Sequence, residues 1–225
     1  MTRTRIAFHR SQASLIALSA LVALGACPAA AQTGVPAAMP ASPTTVVGEY
    51  SDARSGPDPR LREILKKAVA DASSFADRFD AEVWLTDMSN RLARQVEDPE
   101  ERLEILKSVH RHATQVGLEP ELVLAVIDVE SNFDRFAISS AGALGLMQVM
   151  PFWVKELEEE LGYRDKNVLF KIDTNILIGT RILKYYLEME RYDLVRGLAR
   201  YNGSVGQTWY ADRVVQRLNR KWYRF

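Results

Sequence analysis

The 225-residue sequence predicts an all-α protein, and three observations support this fold class. Apolar residues recur at three- and four-residue steps from Leu61 onward, which is the period of an amphipathic helix. Residues typical of helix starts and stops separate the periodic stretches. No segment shows the alternation of apolar and polar residues that is typical of a half-buried β-strand.

The N-terminus resembles an export signal. Arg3, Arg5 and Arg10 precede an apolar run from Ser14 to Gly25, which is too short to span a bilayer. Two cleavage sites are compatible with it. Ala29-Ala30-Ala31 suits an ordinary signal peptidase, whereas Leu24-Gly25-Ala26-Cys27 resembles a lipobox whose cysteine is acylated. Either site places the mature protein outside the cytoplasm, and Cys27 is the only cysteine, so an internal disulfide is excluded.

Composition excludes some classes of protein. The sequence is 47% hydrophobic and 26% charged, as in ordinary globular proteins. Without the three leader arginines, 29 − 3 = 26 basic residues face 29 acidic residues, and this balance argues against nucleic-acid binding. The segment 32–60 is rich in Pro, Ala, Ser, Thr and Gly, and it predicts a flexible linker because it has too little apolar surface to bury.

The helices follow in order. Periodic apolar residues begin at Leu61 and continue toward Phe75 and Phe79. A second stretch runs through Val83 and Leu92, and a third runs from Leu103 to Val116. Further helices are predicted at Phe152 to Leu161, Asn175 to Glu188, Leu194 to Tyr201 and Val205 to Leu218.

Local capping signals bound the third helix and open the next. Asp98 is suited to the N-cap and Pro99 to the first helical position, with two acids behind them. Gly117 is expected to end this helix, and Pro120 to begin the following one.

The helix after Pro120 carries an acid on its apolar stripe. Val123, Val126, Ile127 and Glu130 stand at i, i+3, i+4 and i+7, so they share one face. Glu121 and Asp128 lie on another face and are interpreted as solvated residues. A carboxylate on an apolar stripe needs a partner or a function, so Glu130 is either a catalytic candidate or an acid that caps nearby amides or pairs with Arg135.

The segment that follows Glu130 favours the catalytic interpretation. Small residues and two glycines run from Ser139 to Gly145, as expected where backbone approaches a ligand. Gln148 then places a polar side chain within an apolar run that ends at Pro151.

These residues resemble a known signature. Glu130-Ser131-x-Phe133 followed by Ala137-Ile138-Ser139-Ser140-Ala141-Gly142-Ala143-x-Gly145-Leu146-Met147-Gln148-x-Met150-Pro151 is similar to the soluble-type lytic transglycosylase (SLT) domain. Two later blocks fit the same family, Asn175-Ile176-x-x-Gly179-x-x-Ile182-Leu183 and Ala199-Arg200-Tyr201-Asn202-Gly203. The resemblance runs from about Leu118 to the C-terminus.

The resemblance implies a lysozyme-like helical domain with an N-terminal helical extension. Together with the export signal, the Pro- and Ala-rich segment and the helical periodicity, it divides the chain into a signal peptide at 1–31 (1–26 for a lipoprotein), a linker at 32–60, packed N-terminal helices at 61–116 and a transglycosylase domain at 117–225.

The resemblance also assigns roles to site residues. It makes Glu130 the sole catalytic carboxylate, and it gives substrate or site contacts to Ser131, Met147, Gln148, Tyr201 and Asn202. The structural alternatives are a helix-capping hydroxyl for Ser131, core packing for Met147 and Tyr201, and turn chemistry for Asn202. Three aromatic residues, Trp153, Trp209 and Tyr210, are candidates either for stacking on sugar rings or for the core.

The implied reaction is a non-hydrolytic cut of the MurNAc-GlcNAc bond of peptidoglycan that leaves 1,6-anhydro-MurNAc ends. Peptidoglycan glycan strands are the expected partner, and an outer-membrane lipid anchor is expected if Cys27 is acylated. No cofactor is expected. No metal site is expected either, because His110 and His112 lack a third ligand. A lysozyme-like hydrolase would need a second carboxylate, for which Asp134 at i+4 from Glu130 is the nearest candidate. A non-enzymatic peptidoglycan-binding or secretion-assembly protein is the third alternative.

Overall fold

A computed structural model describes residues 59–70 and 73–223. This part of the chain is helical, with only isolated β-bridges at Ile138, Leu144 and Val149, so the all-α prediction is confirmed. The helices are α1 Pro59–Ala70, α2 Arg78–Leu92, α3 Pro99–Val116, α4 Pro120–Glu130, α5 Phe152–Glu156, α6 Glu158–Leu161, α7 Ile172–Met189, α8 Leu194–Asn202 and α9 Trp209–Arg217. A 3-10 turn at Lys166–Phe170 precedes α7, and a π-helical turn at Leu218–Trp222 continues α9.

The boundary between α3 and α4 follows the capping chemistry that the sequence predicts. The Asp98 side chain accepts a hydrogen bond from the Glu100 amide, with Pro99 in the first turn. Gly117 adopts a left-handed conformation with φ of 71° and caps the C-terminus of α3. This conformation favours glycine because glycine has no Cβ. Pro120 then begins α4.

Helix α4 lies at the centre of the packing. It contacts α3, α9 and the π-helical turn, and every residue from Leu122 to Asp128 is buried. Helix α7 packs between α3 and α8, while α1 and α2 pack on each other and on α3. Helix α4, which carries Glu130 at its end, is therefore packed against an element that precedes it in the sequence, α3, and against elements that follow it, α9 and the π-helical turn.

Three of the predicted helices differ clearly from the observed ones. Helix α1 ends at Ala70, and Phe79 belongs to α2, where it is largely exposed. Helix α9 begins at Trp209 instead of Val205, because Gly206 has a positive φ of 84° that a helix does not accommodate. Leu157 separates α5 from α6 within the stretch predicted as one helix.

Several predictions fall outside the described residues. These are the signal peptide at 1–31 or 1–26, the lipidation site Cys27, and the linker up to residue 58. Pro59 and Arg60, placed in the linker from the sequence, are the first residues of α1. Within 59–70 and 73–223, no helix has the length and apolar character needed to cross a membrane.

Candidate active site

Glu130 is the last residue of α4 and lies on its apolar stripe. Val123, Val126 and Ile127 on the same stripe are completely buried. Glu130 itself is partly exposed, and Ser131 follows as the C-cap. The carboxyl group thus lies at the edge of the core.

Phenol groups surround this carboxyl. The Tyr210 hydroxyl, on α9, donates a hydrogen bond of 2.5 Å to Glu130 Oε1. Tyr201 on α8 lies close enough for its pKa to be raised by the Glu130 charge, although burial is the larger cause. Burial also raises the pKa of Glu130 to about 7, while the Tyr210 hydrogen bond and the Arg213 charge act in the opposite direction. Glu130 can therefore both give and take a proton near neutral pH.

The chain turns away from α4 directly after Glu130. Ser131 Oγ donates to the carbonyl oxygen of Leu146 at 2.8 Å, which ties the helix end to the following loop. Asn132 and Phe133 have positive φ values of 51° and 67°, so the helix does not continue. This corrects the idea that Asp134 sits at i+4 on the same helix, because its carboxylate instead accepts a hydrogen bond from the Phe136 amide at 2.8 Å.

Arg135 is not the partner of Glu130. Its Nε lies 3.9 Å from Glu101 Oε1, and its guanidinium stands over the Phe136 ring at 4.5 Å. The alternative that Glu130 serves to pair with Arg135 is therefore wrong.

The loop between Ala137 and Pro151 is fixed by Asn175 of α7. The Asn175 amide donates to the carbonyl oxygens of Leu144 at 2.9 Å and Leu169 at 2.7 Å, and its oxygen accepts from the Met147 amide at 2.8 Å. Gly145 has a φ of 74°, and a Cβ at this position would collide with the Leu169 carbonyl and the Asn175 side chain. The small residues of this segment thus let the loop approach α7 closely.

Gln148 and Met147 lie in this loop with different surroundings. Gln148 is partly exposed, and its amide donates to the carbonyl oxygens of Gly145 at 2.9 Å and Ala137 at 3.2 Å. The Met147 side chain is completely buried and packs directly on Gly179 of α7. In this structure Met147 is a core residue, and the part of it that faces the site is its backbone.

Tyr201 and Asn202 end α8. The Tyr201 hydroxyl donates to the Met147 carbonyl oxygen at 2.7 Å, and its side chain is packed against the core. Asn202 is exposed, and Gly203 with a φ of 84° caps the helix. Tyr201 thereby joins α8 to the loop beside Glu130.

Tyr210 is the site residue whose role the sequence did not indicate. It was a candidate for sugar stacking or the core, and the structure buries its ring while its hydroxyl reaches Glu130. Its neighbour Trp209 is 45% exposed and stands edge-on to Tyr210, with ring centroids 5.9 Å apart. Trp153 packs edge-on against Tyr185 and Tyr186. The helical period of α9 indicates only that Tyr210 is buried, because Tyr210 and Val214 lie on the same face of the helix.

Asp128 and Glu121 are not the solvated residues that the sequence suggested. Asp128 is buried, and its Oδ2 accepts hydrogen bonds from Trp222 Nε1 at 3.1 Å and Lys221 Nζ at 3.2 Å. Glu121 is partly buried and accepts a hydrogen bond of 2.8 Å from Trp84 Nε1. Helix α4 is enclosed on more than one side, so its second face is also an interior face.

The two histidines of α3 make structural contacts. His112 Nε2 lies 2.6 Å from Asp173 Oδ1, and His110 Nδ1 lies 2.8 Å from the Ser74 hydroxyl. Among the residues that the structure describes, no group of three or more His, Cys, Asp or Glu side chains could hold a metal ion.

Comparisons with known proteins point to one family. The model of the family described as the transglycosylase SLT domain matches residues 107–223. A membrane-bound lytic murein transglycosylase C from Photorhabdus laumondii is 29% identical over 112 residues, which are 45% of this chain and 31% of that protein. The protein of the same name from Yersinia pestis is 31% identical over 122 residues, which are 48% of this chain and 34% of that protein. The chain thus spans about a third of the length of these relatives.

Solved structures of similar proteins include two lytic transglycosylases. The 70 kDa enzyme from Escherichia coli aligns with a TM-score of 0.43 and 19% identity, covering 70% of this chain and 30% of that chain. An inactive glutamate-to-glutamine mutant of Slt from Pseudomonas aeruginosa aligns with a TM-score of 0.43 and 21% identity, covering 72% of this chain and 34% of that chain.

Proposed function

Because the chain belongs to the transglycosylase SLT domain family, whose model matches more than half of it, we propose that it is a peptidoglycan lytic transglycosylase. Glu130 is its acid and base. The reaction cuts the bond between MurNAc and GlcNAc without consuming water and leaves a 1,6-anhydro-MurNAc end. Family membership confirms the resemblance drawn from the sequence, while the activity and the roles of the site residues are proposals.

The observation that carries the proposal is the environment of Glu130. A glutamic acid with its ordinary pKa of 4.5 is protonated in only about 0.3% of molecules at pH 7. With its pKa raised to about 7 by burial, roughly half of the molecules hold the proton at this pH. Such a group can protonate the leaving oxygen of a glycosidic bond and still be ionised often enough to act as a base.

The proposed reaction has two proton transfers at one carboxyl. Glu130 first donates its proton to the glycosidic oxygen as the bond to the leaving sugar breaks, while the N-acetyl group of MurNAc assists departure. The carboxylate then takes the proton of the 6-hydroxyl of the same MurNAc, whose oxygen bonds to C1 and closes the 1,6-anhydro ring. Glu130 is protonated again at the end, so no water enters the balance.

The neighbours of Glu130 support a mechanism with one carboxylate. In the described part of the chain, the groups that act on the Glu130 carboxyl are the hydroxyl of Tyr210 and the guanidinium of Arg213, and the Glu130 charge acts in turn on Tyr201. The nearby acid Asp134 accepts the Phe136 amide, and Asp128 is paired with Lys221. Hydrolases of the usual type need a second carboxylate as nucleophile or base, so these contacts favour assistance by the substrate.

Five other residues are assigned, four by their contacts and Asn202 by its exposure. Tyr210 orients the carboxyl of Glu130 through its hydrogen bond. Ser131 and Tyr201 hold the neighbouring loop through the carbonyl oxygens of Leu146 and Met147. Gln148 stabilises the same loop and is partly exposed, so it and the exposed Asn202 remain our candidates for contact with sugar.

Digestion of purified peptidoglycan with the mature protein tests this function. We expect mass spectrometry to find muropeptides with 1,6-anhydro-MurNAc ends, each lighter by one water than a hydrolysed product. Glu130→Gln should release none of them, because an amide neither donates the first proton nor accepts the second. Asp134→Asn is the matched control, and it should retain activity.

The other outcomes identify the alternatives. Hydrolysed ends, together with loss of activity in Asp134→Asn, would make the protein a lysozyme-like hydrolase. Glycan binding without any cleavage by the wild-type protein would make it a non-enzymatic peptidoglycan-binding or assembly protein.

For the location, we propose that the protein acts outside the cytoplasm and is associated with a membrane. The supporting observation is that the relatives from Photorhabdus and Yersinia are named membrane-bound. Acylation of Cys27 would provide the anchor, and Cys27→Ala should then release the protein from the membrane fraction. Recovery of a soluble mature form that begins at Gln32 would contradict the lipid anchor.

For the domain organisation, we propose that the helices of 61–116 support a catalytic part that starts at residue 117. The packing of α3 on α7 supports the contact between the two parts, and the family match begins at residue 107, inside α3.

A further inference from the structure

A groove of about 380 Å³ lies beside the turn that joins α8 to α9. It is lined by charged, apolar and polar side chains, which include Glu190, Val195, Arg196, Arg200, Val205 and Gln207. Val195 is 38% exposed and Val205 is 52% exposed, so the groove offers apolar surface to a ligand. None of these residues takes part in the proton transfers proposed for Glu130.

The two arginines of the groove are held by one nearly buried carboxylate. The Glu190 side chain is only 6% exposed, and its Oε1 and Oε2 pair with the Nε atoms of Arg200 and Arg196, respectively. The distance from Arg196 Nε to Glu190 Oε2 is 2.6 Å. Two guanidinium groups and one carboxylate leave a net charge of +1 in the cluster.

This arrangement leaves donors for a further anion. A guanidinium has five N–H donors in a planar fork, and the described ion pairs of Arg196 and Arg200 use Nε. The terminal amino groups remain suited to a two-point contact with a carboxylate. Because Glu190 fixes both guanidinium groups in advance, a carboxylate ligand would lose less side-chain entropy on binding.

The groove is connected to the site around Glu130. Gln207, on its wall, accepts a hydrogen bond of 2.8 Å from Trp209 Nε1. The Trp209 ring stands edge-on to Tyr210, whose hydroxyl contacts Glu130. On α8, Arg200 directly precedes Tyr201. The groove therefore adjoins the two helices, α8 and α9, whose tyrosines Tyr201 and Tyr210 lie beside Glu130.

We propose that the groove binds a carboxylate of the peptide stem attached to MurNAc in the glycan strand. This inference rests on the proposed function and extends it to the substrate class, since stems are short acidic peptides that contain alanine. The guanidinium groups of Arg196 and Arg200 take the carboxylate, and Val195 and Val205 contact alanine methyl groups. After removal of the stem, the free lactyl carboxylate of MurNAc offers the same chemistry, and the test separates the two sources.

The test compares two substrates with Arg196→Gln. One is peptidoglycan with intact stems, and the other is the same material stripped of stems by an amidase. Arg196 is 68% exposed at its side chain, so we expect the variant to fold. On stem-bearing strands the variant should show a KM about tenfold higher, the loss expected for one charge-assisted contact, with kcat unchanged. On stripped strands its KM should equal that of the wild type.

Arg164→Gln is the matched control. Arg164 is an exposed arginine paired with a single glutamate, Glu158, at 2.8 Å, and it lies outside the groove. We expect wild-type KM on both substrates. A rise for Arg196→Gln on the stripped strands alone would assign the groove to the lactyl carboxylate, which is free only there, and an equal rise on both substrates would overturn the recognition of either carboxylate. Unchanged KM on both would overturn the proposal.

A binding measurement keeps this inference separate from the catalytic one. An N-acetylated stem tetrapeptide, titrated calorimetrically into the full-length Glu130→Gln protein, should bind, and the additional substitution Arg196→Gln should weaken binding about tenfold. If the wild type cleaves neither substrate, the proposed function fails, and this titration still decides the groove. Equal binding of the tetrapeptide with and without Arg196→Gln would refute the proposed role of the groove.

Discussion

Asp128 and Glu130 are two carboxylates at the same end of α4, and they have opposite surroundings. Asp128 is enclosed by cationic and N–H groups: Lys221 Nζ at 3.2 Å, Trp222 Nε1 at 3.1 Å and Arg217 Nε at 3.5 Å. Glu130 has apolar neighbours and the phenols of Tyr210 and Tyr201, with the charge of Arg213 as a weaker influence.

The difference assigns a structural role to Asp128 and a chemical role to Glu130, although both lie in the last turn of the same helix. Cations compensate the cost of burying Asp128, which thereby anchors the C-terminal turn to α4. Glu130 lacks such a partner in direct contact, so burial raises its pKa to about 7. A carboxyl that is held in place but not neutralised by a direct ion pair can exchange a proton near neutral pH.

The largest expected effect on stability is that of Glu130→Gln at alkaline pH. Between pH 4.5 and about 7, the folded protein holds the Glu130 proton that the unfolded chain releases. The free energy of unfolding of the wild type therefore falls through this range and levels off above it. Glutamine has no such penalty, so the variant should be more stable by up to about 3 kcal/mol above about pH 8.

Urea unfolding of both proteins at several pH values measures this difference. Below about pH 4 the difference should become constant, since both side chains are then neutral. A difference that does not change with pH would show that Glu130 has an ordinary pKa.

Asp128→Asn should lower the free energy of unfolding, in contrast to Glu130→Gln. The amide has nearly the same shape, but it leaves Lys221 and Arg217 without their counter-charge. Removing one partner of a fully buried pair costs 3 kcal/mol or more, and here the partly exposed cations reduce the cost to about 2 kcal/mol. Urea unfolding at pH 7 should show this loss, and a variant as stable as the wild type would mean that Asp128 is not an anchor.

Tyr210→Phe has the smallest expected effect on stability, and it is expected to shift the pH dependence of activity. Loss of its hydrogen bond to Glu130 should cost about 1 kcal/mol. Because that bond lowers the pKa of Glu130, its loss should raise the pKa further. The alkaline limb of kcat/KM, which reports the protonated acid, should then move to higher pH.

The matched control for Tyr210→Phe is Lys221→Gln, which removes a contact of Asp128 in place of one of Glu130. We expect it to lower stability and to leave the alkaline limb where it is in the wild type. A limb that moves in Lys221→Gln but not in Tyr210→Phe would reverse the roles assigned to the two carboxylates.

Local chemistry made part of this structure predictable. The N-cap Asp98, the stop at Gly117 and the start at Pro120 depend on backbone groups within a few residues, so the sequence indicates them directly. The apolar stripe under Glu130 likewise follows from the helical period, and the family resemblance added the neighbouring loop.

The remainder depends on contacts between distant parts of the chain. The Tyr210 hydroxyl comes from 80 residues beyond Glu130, and no local pattern shows that they meet. Asp128 was interpreted as solvated because a helical period suggests one inner and one outer face. Helix α4 is instead covered by α3, α9 and the π-helical turn, so the face that carries Asp128 is also inside.

The most direct test of the central claim is the titration of Glu130 itself. Carbon-13 NMR of protein labelled at the glutamate carboxyl groups, with Glu130→Gln used to assign the resonance, follows its ionisation from pH 3 to 9. We predict a midpoint near pH 7, as burial of this carboxyl requires. A midpoint near 4.5, the ordinary value for glutamic acid, would contradict its proposed role as the proton donor.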